Sequence, residues 1–139
     1  AMENAKKRGV SERLDLLEGD LLAPLDEYPP AAQRSALHYL VSNPPYIPDH
    51  EWDAVEPNVK EHEPHSALRG GADGMDLVRP IVKDGPAHVR AGGLLLIEVA
   101  HAHAKDVLGL AQGHAMLEDA RILRDHEGLD RVVVARRRA

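Results

Sequence analysis

The chain has no cysteine and no phenylalanine, and aromatic residues make up only 3% of it. Without cysteine there are no disulfides and no thiolate metal sites, which suits a reducing cytoplasm. Without phenylalanine the core falls to Leu, Val, Ile and Ala. No apolar run reaches the roughly 18 residues of a membrane-spanning helix and no secretory leader is legible, so the expectation is a cytoplasmic protein that does not engage a membrane. Cations are in the minority. Seventeen Lys and Arg face 23 Asp and Glu, and the formal charge of −6 is the wrong sign for a surface that gathers phosphates, which disfavours a nucleic-acid partner. Arg136-Arg137-Arg138 is too short a basic run to change that, and is expected to be a solvated tail. His62 with His65 and His101 with His103 have ligand-like spacing, but with no cysteine and no clear carboxylate partner no metal site is expected.

What is present is enough for one globular domain: 139 residues, 43% hydrophobic and 29% charged, can bury well over half of the unfolded surface. Helix-like and strand-like segments alternate, the pattern of an open α/β sheet. A helix is expected over Ala1–Arg8, with Glu3 and Lys7 one turn apart and Gly9 as its stop. A short strand is expected at Leu14–Leu17, ending at Gly19-Asp20, then a loop over Pro24–Pro30 and a weak helix near Ala31–Ser35. Leu37–Ser42 reads as a strand, followed by a long polar segment from Ile47 to Gly74 of the kind that forms lids or binding elements. Asp76 is placed to cap a helix running towards Val89, kinked at Gly85-Pro86. Gly92-Gly93 should release the chain into Leu94–Val99, an apolar run expected to be buried on both sheet faces. A helix at about His103–Gln112 and strands at Met116–Leu123 and Arg131–Ala135 complete the reading.

The most informative stretch is Asn43-Pro44-Pro45-Tyr46, at the exit of the Leu37–Ser42 strand. Proline has no amide hydrogen, and it pushes the residue before it towards extended geometry. The carbonyls of Asn43 and Pro44 and the Asn43 side-chain oxygen therefore concentrate acceptors, and Tyr46 adds an aromatic face. A planar NH2 group fits such a site. Its nitrogen is a poor nucleophile because its lone pair is delocalised, and orientation towards an electrophile can contribute roughly 7–11 kcal/mol. A methyl sulfonium is the natural electrophile. The plainer reading of the tetrapeptide, a strand-ending turn, stays open on these residues alone.

The motif does not stand alone. Tyr39-Leu40-Val41-Ser42 leads into it and Ile47-Pro48 extends it; Glu63-Pro64, Ala67-Leu68, Gly70-Gly71, Asp73-Gly74 and Asp76 come next, and Asp125, Gly128 and Asp130-Arg131-Val132-Val133-Val134-Ala135 end the chain. This set resembles the release-factor glutamine N5-methyltransferases over about residues 1–136. Amino-DNA methyltransferases share the tetrapeptide but not the longer pattern. Val99-Ala100-His101-Ala102-His103 departs from the family, which usually has a Gly and then a Gln there.

The resemblance implies a Rossmann-like class I methyltransferase sheet that lacks here the first two strands and the glycine-rich loop. Residues 1–36 would be a remnant of the cofactor-side half, and 37–139 the substrate-side half. It implies S-adenosylmethionine as cofactor, peptide chain release factors as partner, and N5-methylation of the glutamine in their Gly-Gly-Gln loop. Asn43 and Pro44 would hold the amide, with Pro45 and Tyr46 lining its pocket and Glu63 helping to close it. Asp20 would approach the adenine amino group, Leu21 would pack near the ring, and Asn43 would also lie beside the cofactor. Since the only glycine pairs, Gly70-Gly71 and Gly92-Gly93, stand in the wrong context for a cofactor turn, the chain reads as a fragment, inactive by itself. The alternatives are adenine N6 methylation of DNA and a non-catalytic truncated domain.

Overall fold

A computed structural model describes residues 1–27 and 37–139, and the weak helix expected near Ala31–Ser35 lies outside them. The chain divides into two compact units, Ala1–Arg34 and Ser35–Ala139.

In the first unit, helix α1 (Met2–Lys7) carries the expected Glu3–Lys7 ion pair at 2.9 Å. It ends in a Schellman arrangement, with the Gly9 amide donating to the Lys6 carbonyl and the Val10 amide to the Ala5 carbonyl. Leu14–Leu17 is not a strand. A strand exists through its ladder, and this stretch joins no strand ladder among the described residues; Leu14, Leu16 and Leu17 are 41–47% exposed. Asp20 therefore does not end a strand but sits in a turn, its carbonyl accepting from the Ala23 amide at the start of a short helix, α2 (Ala23–Glu27), where a loop was expected.

The second unit is a four-stranded sheet of β1 (Leu37–Ser42), β2 (Val89–Glu98), β3 (Leu117–Arg124) and β4 (Asp130–Arg137), in the order β1-β2-β4-β3. The β1–β2 pair is parallel, while β4 runs antiparallel to both β2 and β3. The connection from β1 to β2 passes through helices α3 (Pro57–His62) and α4 (Val78–Asp84); α5 (Ala104–Gly113) leads from β2 to β3. Helix α4 stops at Gly85-Pro86 and tightens into a 3-10 turn, as the proline dictates. Its N-cap is Leu77, not Asp76, whose carboxylate instead faces Arg79 at 3.5 Å.

The core lies on one side of the sheet. Val78, Ile81 and Val82 of α4 and Ala104, Val107 and Ala111 of α5 pack on Leu95, Ile97, Leu117, Val133 and Ala135. The apolar run in β2 is thus fully covered on one face only; Leu94 and Leu96, on the other, are half-buried. Beside them in register stand Tyr39 and Val41 of β1, which are 64% and 72% exposed. The reason is topological, since a strand is buried twice only when helices lie on both faces. β2 also begins earlier than expected, with Gly92-Gly93 inside it at a register shift against β1.

The C-terminal arginines are not a free tail. Arg136 reaches Asp119 at 3.4 Å, Arg137 donates to the Pro86 carbonyl, and Arg138 donates to the Leu117 carbonyl at 2.7 Å. The β3–β4 turn is held by Asp125, whose carboxylate accepts from the Glu127 and Leu129 amides at 3.0 Å and from Arg131 at 3.1 Å. Burial raises the Asp125 pKa, but these donors outweigh it and the net shift is downward.

Candidate functional site

Asn43-Pro44-Pro45-Tyr46 leaves the C-terminal end of β1 as neither helix nor strand, beside the end of the parallel strand β2. Ligand sites of open α/β sheets form at this edge, outside the carboxyl ends of parallel strands. The side chains divide by burial. Pro44 is buried and anchors the segment, Pro45 and Tyr46 are half-buried, and Asn43 is exposed at the strand mouth. The rigid backbone is thus embedded while the polar amide faces outward.

Backbone hydrogen bonds fix the exit of the motif. The Ile47 amide donates to the Leu68 carbonyl at 3.0 Å, the Gly70 amide to the Ile47 carbonyl at 2.9 Å, and the Asp49 amide to the Gly71 carbonyl at 2.9 Å. Ile47 and Arg69 form an isolated parallel bridge. The long segment between them is therefore a loop closed at its base. Its interior is organised on Trp52: the His65 ring meets it edge-on at 4.9 Å, and Arg69 and Lys60 lie over it at 5.2 and 5.6 Å. Arg69 also pairs with Asp49 at 2.8 Å. Glu63 caps the C-terminal end of α3 and is exposed.

The Gly70–Asp76 turn ends at α4. The Asp76 amide donates to the Gly70 carbonyl, the Met75 amide to the Asp73 carboxylate, and Arg79 grips both Asp73 oxygens. The hydrogen bonds from Arg79 lower the Asp73 pKa from 3.8 to about 2, and Arg79 is raised in return. Next to this latch is an open cavity of about 590 Å³ lined by Asp73, Met75, Arg79, His103, Lys105 and Asp106.

Asn43, Pro44, Pro45 and Tyr46 are together by continuity. Glu63 lies in the same unit but on the outer part of the loop, whereas Asp20 and Leu21 lie in the first unit. Leu21 has a φ of +47°, a left-handed backbone that few leucines adopt. The contacts of residues 68–76 with Ile47 and Asp49 were not anticipated from the sequence. Their signal was the pair of glycine-bearing dipeptides, Gly70-Gly71 and Asp73-Gly74, which marked a resemblance but suggested no role.

The parallel β1–β2 pair and the closing antiparallel strands, with the polar motif at the strand mouth, form part of an open Rossmann-like α/β sheet. A crystal structure of the release-factor-specific protein-(glutamine-N5) methyltransferase from Alicyclobacillus acidocaldarius superposes with a TM-score of 0.51 at 24% identity, covering 86% of this chain and 61% of that one, which establishes the fold. The resemblance in sequence is to one kind of methyltransferase. The chain is 40% identical over 131 residues to the release factor glutamine methyltransferase of Gloeobacter violaceus, covering 94% of this chain and 43% of the relative. It is 41% identical over 136 residues to that of Cereibacter sphaeroides, covering 98% of this chain and 46% of the relative. The chain spans less than half the length of these curated relatives. No family model matches it.

Proposed function

We propose that the protein carrying this chain is an S-adenosylmethionine-dependent methyltransferase that modifies the side-chain nitrogen of a glutamine in the Gly-Gly-Gln loop of peptide chain release factors. The observation that carries the reading is the acceptor-rich Asn43-Pro44-Pro45-Tyr46 segment at the mouth of a parallel strand, within a chain similar along nearly its whole length to release factor glutamine methyltransferases.

Because positions 44 and 45 have no amide hydrogen, the segment presents carbonyl acceptors with no N–H donor at either proline, which suits the N–H groups of a substrate. The Asn43 side-chain oxygen and the Pro44 carbonyl take the two N–H bonds of the glutamine amide, and the Tyr46 ring lies against its plane. Fixing both N–H bonds sets the direction of the nitrogen lone pair, so the nucleophile meets its electrophile aligned. When bound, S-adenosylmethionine supplies an electrophilic methyl group on a sulfonium. As the nitrogen acquires positive charge its hydrogens become acidic, and the Asn43 and Pro44 acceptors stabilise that charge until one proton passes to water.

Residues 37–139 would then hold the substrate side and residues 1–36 part of the cofactor side. The exposed Asp20 carboxylate suits an adenine amine, and the partly exposed Leu21 suits its ring. The left-handed backbone at Leu21 supports this, since strain of that kind gathers at binding sites. Glu63 would help close the substrate pocket.

The test is incubation of the protein, as expressed from its own gene, with S-adenosylmethionine and a release factor, and then peptide mass spectrometry. One added methyl on the Gly-Gly-Gln glutamine is expected. Methyl transfer to adenine in DNA, with none to the release factor, would overturn the proposal.

A further inference from the structure

Gly74 stands at an unusual junction. Its φ is +79°, and a side chain placed on it would run into the Tyr46 carbonyl oxygen on one side and would lie 3.1 Å from His103 Nε2 and 3.2 Å from the Pro48 ring on the other. Only a residue without a Cβ lets the turn close on the motif this tightly. The turn is itself fixed at both ends: its base by the hydrogen bonds between Ile47, Asp49 and residues 68–71, and its far end by the Asp73–Arg79 pair on α4. Gly92 offers a natural comparison. Its φ is +76°, so it occupies nearly the same backbone region, yet a side chain there would meet nothing within 4 Å.

We infer that Gly74 is a positioning residue for methyl transfer: the Gly70–Asp76 turn, closed on Tyr46 through Gly74 and backed by His103, sets the place of the Asn43-Pro44-Pro45-Tyr46 acceptors. The inference rests on the methyltransferase reading above. Its basis is the geometry of the segment, which is held at Pro44 by burial and next at Tyr46–Ile47 by the turn, so that the Pro44 carbonyl lies between two fixed points and the Asn43 acceptors stand directly before the first. A push on the Tyr46 carbonyl is passed along a backbone that two prolines keep stiff. A misplacement of about 1 Å can cost on the order of a hundredfold in rate.

The experiment compares Gly74→Ala with Gly92→Ala in the protein as expressed from its own gene, measuring thermal stability, kcat and KM for a release factor and S-adenosylmethionine, and hydrogen exchange at the Ile47 and Asp49 amides. Both variants carry the strain of a positive φ, and Gly74→Ala, which alone also meets the Tyr46 carbonyl, should lose more stability while still folding. Gly74→Ala should lose at least about tenfold in kcat, keep KM for S-adenosylmethionine within about twofold, and exchange faster at Ile47 and Asp49. Gly92→Ala should keep the parent's kcat and exchange. Equal kcat in the two variants, whether both unchanged or both reduced, overturns the inference. If Gly74→Ala does not fold, His103→Ala reads the same contact from the other side: a drop in kcat of about threefold or more is expected, and an unchanged kcat overturns it. A parent protein that transfers no methyl to the release factor overturns the function proposal and this inference together, which separates that failure from a loss confined to Gly74.

Discussion

Replacing Asn43 by Ala removes one acceptor from the candidate site and almost nothing else. The side chain is exposed at the end of β1, so its loss should change folding stability by no more than about 0.5 kcal/mol. The backbone acceptors survive, because the carbonyls of residues 43 and 44 remain and Pro44 stays buried. What disappears is the side-chain oxygen that, in the proposed mechanism, takes one N–H of the substrate amide. Deleting a single oriented group of this kind costs about 2.7–4 kcal/mol, or roughly a hundred- to a thousandfold in kcat. Asn43→Asp sharpens the test, since it keeps an acceptor but places a negative charge beside a sulfonium; cofactor affinity should rise while turnover falls. The assay is release-factor methylation read by mass spectrometry, with thermal melts of each variant to confirm the fold. An Asn43→Ala protein within about threefold of the parent's kcat would refute the acceptor mechanism.

Ile97, 1% exposed at the centre of the sheet, should lose about 2–5 kcal/mol on conversion to Ala, measured by urea unfolding; a loss below about 1 kcal/mol would place the core elsewhere. The Asp73–Arg79 pair should make stability depend on acid. Because the folded Asp73 carboxyl titrates at about 2, below its ordinary 3.8, its contribution is complete above the ordinary value and disappears as pH falls through about 2. The stability difference between the parent and Asp73→Asn should therefore narrow from about pH 5 to about pH 2 in thermal melts, and a constant or widening gap would refute the latch. The 139 residues by themselves should bind no S-adenosylmethionine in calorimetry, because Gly70-Gly71 closes a loop and Gly92-Gly93 lies inside a strand, so neither pair forms the strand-to-helix turn that holds such a cofactor. Micromolar binding would show that the site is built differently.

Sequence alone determined the class of fold, the strand Leu37–Ser42 and the chemistry of the segment after it. Those properties are local. Period and apolar run mark a strand, and a proline's missing amide hydrogen is the same in any context. The closing antiparallel pair was legible for the same reason, through two apolar segments separated by Glu127-Gly128. Tertiary structure decided the rest. Leu14–Leu17 has strand-like composition but joins no strand ladder among the described residues, and a ladder is a property of two segments. Leu94–Val99 is apolar throughout, yet only the position of α4 and α5 shows which face is covered. Arg136–Arg138 looked like a solvated tail until the β3–β4 register placed Asp119 and Leu117, and the turn after α4 placed Pro86, within reach. The role of Gly74 is the clearest case. In sequence it is one glycine of a loop; its close approach to the Tyr46 carbonyl exists only because hydrogen bonds bring together residues more than twenty positions apart.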